Sequence, residues 1–172
     1  GSENLDPLLA DAQERGWSDI VFLLHYALFA QIQRAGLDCS DAIAQLLVTA
    51  DQAGASVLLA LALATQAEHA FASADYAVTE SVESDLARAV ALLEQDSSSG
   101  VDAPTAYVAC GLAYHVRGLW ELEEEMYQVA GRLLEDDLPP PLDRTQRTTR
   151  RLIPYNRREA LLNWACGLFE VG

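Results

Sequence analysis

The stretch that decides the fold runs from Asp102 to Leu134 and reads DAPTAYVACGLAYHVRGLWELEEEMYQVAGRLL. Its apolar residues recur every three to four positions in two segments, which is the period of amphipathic helices. Asp102 with Pro104 is a typical helix start, and Gly118 is a typical helix stop between the two segments. The sequence therefore predicts two helices, one ending at Arg117 and the next running from about Leu119 to Leu134.

The same pattern continues upstream of this pair. Two further helix pairs are predicted to start near Ser18 and Ser56, so the three starts are 38 and 46 residues apart. The helix from Ser56 to about Ala72 is apolar on nearly every side and is expected to form the buried centre. Periods near 40 residues in an all-helical chain are typical of an α-solenoid of stacked antiparallel helix hairpins. A single irregular bundle is the alternative.

Helix caps and breakers define the other elements. In the first half of the chain they predict a helix from Asp6 to Arg15 closed by Gly16, and helices capped by Ser18 and Ser40 and closed by Gly36 and Gly54. A looser stretch from Ser73 to Ser81 is followed by a helix containing Leu86 and Leu93 and by a flexible loop at about 96–101. Towards the C-terminus they predict a Pro-rich break at 138–142, a short helix near Asp143 to Arg151 and a last helix from Asn156 to about Val171. No segment alternates as a strand does. We predict an all-α protein of about eight or nine helices, with residues 3–172 as one domain.

Composition and charge narrow the function. The chain has 172 residues, 51% of them hydrophobic, and a net charge of −15, so a disordered chain is excluded and nucleic-acid binding by the domain is not expected. No apolar run is long enough to cross a membrane. Three widely spaced cysteines form no disulfide framework, which favours a reducing, cytoplasmic location. They are Cys39, Cys110 and Cys166.

Both ends of the chain suggest a piece of a longer protein. Gly1-Ser2 without a methionine is typical of an expression tag, and an apolar helical pattern is still running at Phe169. All 11 basic residues are arginines, which together with many alanines and leucines suggests a GC-rich bacterial genome, as in actinobacteria.

The third helix pair carries aromatic, small and glycine residues at a recognisable spacing. The residues are Tyr107, Cys110, Gly111, Tyr114, Gly118, Tyr127 and Ala130. This segment resembles a tetratricopeptide repeat, with Glu123 where the family has a small residue. We expect Gly111 to allow close helix approach and the three tyrosines to fill the groove. The resemblance implies a divergent tetratricopeptide-like domain that serves as the sensory or docking region of a signalling protein, such as a diguanylate cyclase or a transcription regulator.

A second candidate region lies at the C-terminal end, where the charge changes sign. Residues 143–172 hold six arginines and three carboxylates, a net of +3, whereas residues 1–142 carry −18. Arg144, Arg147 and Arg151 share one helical face. They form either a site for an acidic partner or ion pairs with the domain's own carboxylates. With Tyr107 and Tyr114, these arginines are the candidate partner-binding residues.

Catalytic chemistry has little support in the sequence. His25, His69 and His115 have no zinc-site spacing and are expected to be core or groove residues. Among the cysteines, Cys39 is the best candidate for a nucleophile, because it lies next to the predicted start of a helix. A cluster of acidic residues at Glu121, Glu123, Glu124 and Glu125 is expected to be a solvated helix face. No catalytic residue, metal site or cofactor is assigned.

The function predicted from these features is a non-catalytic interaction and regulatory domain whose concave face binds a peptide, an adjacent domain or a second copy of itself. The alternative is a small-molecule sensor with an apolar pocket between helices that controls an attached output domain. The two differ in whether Tyr107, Tyr114 and Tyr127 fill the stack or line a cavity. An enzyme that uses Cys39 or a histidine is a third hypothesis.

Overall fold

The computed structural model describes residues 5–73, 79–95 and 102–137. These residues form seven α-helices and no strand, which confirms the all-α prediction for this part of the chain. The helices are α1 (Asp6–Glu14), α2 (Ser18–Arg34), α3 (Ser40–Ala53), α4 (Ser56–Ala72), α5 (Thr79–Gln95), α6 (Asp102–Val116) and α7 (Trp120–Asp137). The predicted loop at 96–101, the break at 138–142 and the helices expected after Asp143 lie outside the described residues.

The helix stops occur where the sequence predicts them. Gly54 and Gly118 adopt left-handed φ angles of 67° and 72°, which residues with a Cβ atom rarely adopt. At the end of α3, the N–H of Gly54 donates to the carbonyl oxygens of Ala50 and Asp51, both at 3.2 Å. These bonds satisfy carbonyls that the last helical turn leaves without an intrahelical partner.

The helix starts differ from the predicted caps. Ser18, Ser40 and Ser56 are the first helical residues rather than the caps, since α2, α3 and α4 begin after Trp17, Cys39 and Ala55. Asp6 likewise lies inside α1.

At α3 a different side chain performs the capping function. Cys39 already has near-helical backbone angles, so the acceptor comes from one residue earlier. The Asp38 carboxylate accepts hydrogen bonds from the N–H of Ser40 at 3.0 Å and from its hydroxyl at 2.7 Å. These two bonds lower the pKa of Asp38.

The centre of the molecule is α4, as predicted. Ten of its seventeen residues are buried. They are Val57, Leu58, Ala60, Leu61, Ala62, Leu63, Ala64, Thr65, Ala67 and Phe71. The one polar member is satisfied within the helix, because the Thr65 hydroxyl donates to the carbonyl oxygen of Leu61 at 2.8 Å. Burial on several sides follows from contacts with α3, α5 and α6.

The helices pack around one continuous hydrophobic core, both as chain neighbours and, for α4 and α6, across the intervening helix. Contacts join α2 to α3, α4 to α5 and α6 to α7, and α1 rests on α2. Between these pairs, α3 contacts α4, while α6 contacts both α4 and α5. Among the described helices, none combines the length and apolarity that crossing a membrane requires.

Candidate functional site

The tyrosines of the third helix pair are largely built into the core. Tyr107 and Tyr127 are buried and Tyr114 is half-buried. Burial is the main cause that raises the pKa of Tyr107 and of Tyr114, and the neighbouring Glu94 carboxylate raises both further. Of the two tyrosines predicted to bind a partner, only Tyr114 therefore keeps substantial access to solvent.

Gly111 of α6 lies directly against the Tyr127 side chain of α7. A Cβ atom built on Gly111 would lie 2.6 Å from Cε1 of Tyr127, well inside van der Waals contact. Because Tyr127 is itself buried, its ring occupies the space that a side chain at position 111 would need. The tyrosine ring fills the groove at this point.

The arginines predicted as partner-binding residues, Arg144, Arg147 and Arg151, lie outside the described residues. The structure neither brings them together nor separates them.

The turn between α6 and α7 exposes four large apolar side chains close together in the chain. Val116, Leu119, Trp120 and Leu122 are exposed by 41%, 46%, 60% and 38%. We call these four residues the α6–α7 corner. Sequence reasoning missed this surface, because aromatic and branched apolar residues in a helical pattern are normally assigned to the core. Exposed apolar patches of this kind mark interaction sites on soluble proteins.

The backbone of the corner is fixed by hydrogen bonds rather than left open. The N–H of Leu119 donates to the carbonyl oxygen of Tyr114 at 3.0 Å, and the N–H of Gly118 donates to the carbonyl oxygen of His115 at 2.9 Å. With Gly118 in the left-handed region, this pattern is a Schellman-type helix end. The first turn of α7 therefore starts from a defined position.

A contact between a half-buried histidine and a buried glutamate lies next to the corner. Nδ1 of His115 is 3.0 Å from a carboxylate oxygen of Glu123, and the Glu123 residue is only 5% exposed. The His115 ring also meets the Trp120 ring edge to face, with centroids 5.1 Å apart. Trp120 is thus both exposed and held in place.

The burial of Glu123 corrects the expectation that the acidic cluster is entirely a solvated face. Glu123 turns toward α6 because its carboxylate finds the His115 ring eight residues earlier, across the turn. Glu121, Glu124 and Glu125 are exposed, as predicted. They give the outer side of α7 a negative charge beside the corner.

Arg117 ties the corner to two other helices. Its guanidinium group lies over the Phe71 ring of α4, 5.1 Å from the ring centroid, and forms an ion pair with Glu83 of α5. Both ion-pair partners are more than a third exposed, so the bond is a positional restraint rather than a large source of stability. The corner is therefore supported by α4, α5 and α6 together.

The two thiols in the described part of the chain lie in surroundings that disfavour the thiolate. Cys39 and Cys110 are buried, and burial raises the pKa of both, to about 12 for Cys110. The Cys39 thiol donates to the carbonyl oxygen of Leu37 at 3.4 Å, and the neighbouring Asp38 carboxylate raises its pKa further. The third cysteine, Cys166, lies outside the described residues. A nucleophilic role for Cys39 is not supported.

The three histidines lie on three different helices, α2, α4 and α6. Across residues 5–73, 79–95 and 102–137 no group of three metal-ligating side chains occurs. His115 has the neighbour that a groove histidine was expected to have. Unlike His115, His25 has a buried Nε2 atom without a hydrogen-bond partner in the described part of the chain. Burial lowers the pKa of the His25 imidazole.

One further titratable group was missed by sequence reasoning. Glu68 of α4 is half-buried, and burial raises the pKa of its carboxyl group. Its position in an apolar helix was visible in the sequence, but the side of the helix on which neighbours would cover it was not.

Comparisons with known proteins add no relative. No protein-family model matches the chain, and neither a curated protein nor a solved structure matches it.

Proposed function

We propose that this chain is a non-catalytic protein–protein interaction and regulatory domain, and that the α6–α7 corner is its binding surface. The observation that carries the proposal is the exposure of Val116, Leu119, Trp120 and Leu122, which lie within seven consecutive residues at the end of α6 and the start of α7. An attached output domain of a bacterial signalling protein is the context that we infer for it. Peptides, adjacent domains and second copies all fall within the class of partner.

Trp120 has the properties of an interface anchor. Tryptophan is among the residues most enriched at the energetic centres of protein interfaces. Its ring is oriented by the edge contact with His115, and the turn below it is fixed by hydrogen bonds. A surface ordered before binding loses less conformational entropy when the partner arrives, which favours affinity.

Packing between the second and third helix pairs supports the tetratricopeptide-like architecture that we propose, although α2 and α4, the first helices of the first two pairs, do not contact each other to a similar extent. The first helices of the second and third pairs, α4 and α6, pack against each other, and α6 also contacts α5. Neighbour-to-neighbour stacking of this kind is how helix-hairpin solenoids bury their faces. The Gly111–Tyr127 contact lies where the resemblance expects close approach.

Packing at the tyrosines favours this function over a small-molecule sensor. The sensor hypothesis needs an apolar space among Tyr107, Tyr114 and Tyr127. Two of these rings are buried, and the Tyr127 ring fills the groove beside Gly111. Ligand entry would require these side chains to move.

The test uses peptides selected from a random library for binding to the full chain. Trp120→Ala should weaken their binding about 30-fold, since an interface anchor contributes at least about 2 kcal/mol. Trp17→Ala is the matched control. Trp17 is likewise an exposed tryptophan at a turn between two helices, 47% exposed between α1 and α2, and its ring lies under the Arg15 guanidinium group. Equal losses in the two variants, or none in Trp120→Ala, would contradict the proposal.

A further inference from the structure

Acidic side chains flank the apolar surface of the α6–α7 corner. Glu121, Glu124 and Glu125 are exposed on α7, and their spacing of three and four residues places them on one side of the helix. Glu124 and Glu125 follow Trp120 by four and five residues, which is about 6–8 Å along the helix axis. Side chains on a helix lean toward its N-terminus, which for these two glutamates is the direction of the corner.

These three carboxylates are not neutralised by cations of the described residues. None of them forms an ion pair there, and the arginine nearest in sequence, Arg117, is paired with Glu83 of α5. The Glu124 carboxylate accepts a hydrogen bond from Nε2 of Gln128 at 3.1 Å, but an amide brings no charge. The next arginine of α7 is Arg132, eight residues beyond Glu124 and about 12 Å along the helix. The corner therefore combines an apolar surface with uncompensated negative charge.

This combination restricts what can cover the apolar side chains. Carboxylates repel the phosphate groups of nucleic acids and of anionic lipid headgroups, which disfavours a nucleic acid and a membrane surface. A second copy that docks through the same corner places the glutamates of the two molecules against each other, because a two-fold interface contacts itself. A polypeptide that presents apolar side chains beside positive charge matches both properties of the surface.

We propose that the α6–α7 corner binds a segment of another protein in which an apolar residue is accompanied by arginine or lysine. The apolar side chain packs on Trp120, and the cation faces Glu124 and Glu125. Their separation from Trp120 along α7 corresponds to about two residues of an extended segment or about four residues of a helical one. The inference rests on the proposed function, and it states the chemistry of the partner.

Peptides selected from a random library for binding to the full chain provide the probe. Those whose binding requires Trp120 should carry arginine or lysine within about four residues of an apolar residue. The double variant Glu124→Gln with Glu125→Gln should weaken their binding about five- to tenfold, since two exposed charge pairs are lost. Glutamine at position 124 can still accept the hydrogen bond from Gln128, so the local structure of α7 is retained.

A control variant with the same net charge separates a local contact from long-range attraction. Glu14→Gln with Asp51→Asn removes two exposed carboxylates from α1 and α3. Affinity for the same peptides should change by less than about twofold, because salt screens charges that lie more than about 10 Å from the peptide. Raising the salt concentration from about 0.05 to 0.5 M should weaken binding to the unmodified chain more than binding to the Glu124→Gln, Glu125→Gln variant.

Charge exchange decides whether the cation of the peptide faces these glutamates. Replacing that cation by glutamate should weaken binding to the unmodified chain, and Glu124→Arg with Glu125→Arg should restore binding of the acidic peptide. Trp120-dependent peptides without a cation, equal losses in the glutamine variant and its control, or no recovery after the exchange would overturn the inference and leave the proposed function standing. If no selected peptide requires Trp120, the proposed function fails as well.

Discussion

Replacing Gly111 by alanine perturbs a close contact between α6 and the Tyr127 ring of α7. The new Cβ atom would start 2.6 Å from Cε1 and 3.0 Å from Cδ1 of the buried Tyr127 ring. Overpacking a core in this way costs about 1–3 kcal/mol. The higher helix propensity of alanine returns about 1 kcal/mol. We therefore expect a net loss of about 0–2 kcal/mol for Gly111→Ala, and a larger loss for Gly111→Leu, whose side chain must displace the ring.

Gly131→Ala is the matched control, because Gly131 lies within α7 and a Cβ there meets nothing within 4 Å. It should stabilise the protein by up to about 1 kcal/mol through propensity alone. Thermal or urea unfolding measures both, and in a chain of this size 1 kcal/mol shifts Tm by about 2–4 °C. If Gly111→Ala stabilises the protein as much as Gly131→Ala does, the close approach is refuted. In a chain carrying Tyr127→Ala, the penalty at position 111 should disappear.

Three other predictions concern buried groups. Glu68→Gln should raise Tm at pH 7. Burial raises the pKa of Glu68 in the folded state, so the wild-type protein loses stability as pH rises above 4.5, the ordinary pKa of the group, and the carboxyl group must ionise in its buried position. A gain in Tm that persists at pH 3, where the carboxyl group is protonated, would contradict this cause. In the native full chain a thiol reagent should modify at most Cys166, because Cys39 and Cys110 are buried, whereas denaturant should release all three thiols; reaction of Cys39 in the Cys166→Ala chain would contradict its burial. His115→Ala should lower the free energy of unfolding by about 1–3 kcal/mol, because the buried Glu123 carboxylate loses its hydrogen bond with His115. It should also alter Trp120 fluorescence, because the Trp120 ring loses its contact with the His115 ring. Unchanged stability in urea unfolding would contradict the structural role of the His115–Glu123 pair.

The helices and their stops follow from local signals in the sequence. The period of apolar residues identifies α4 as the central helix, and Gly54 and Gly118 stop α3 and α6 through a backbone conformation that glycine adopts readily. These features depend on a few neighbouring residues. The starts were predicted less well, because several polar residues in a row can serve as caps. At α3, Asp38 caps the helix and Ser40 donates to it.

The surface of the candidate site could not be predicted, because it depends on distant partners. The burial of Glu123 requires the His115 ring from across the turn, and the position of Arg117 requires Phe71 and Glu83, the latter 34 residues earlier in the chain. The exposure of Trp120 follows from these same contacts, which fix the orientation of the first turn of α7. Periodicity gives the face of a helix but not which neighbours cover it.

The most direct test of the proposed function is a residue-by-residue map of where a selected peptide contacts the full chain. Amide chemical shifts of the isotope-labelled protein, recorded during titration with the peptide, provide this map. The largest changes should occur at Val116, Leu119, Trp120 and Leu122 and at the adjacent Glu121, Glu124 and Glu125, with α1 and α2 unaffected. Changes centred on α1–α3, or on Tyr107 and Tyr114 with the corner unchanged, would contradict the assignment of the corner as the binding surface.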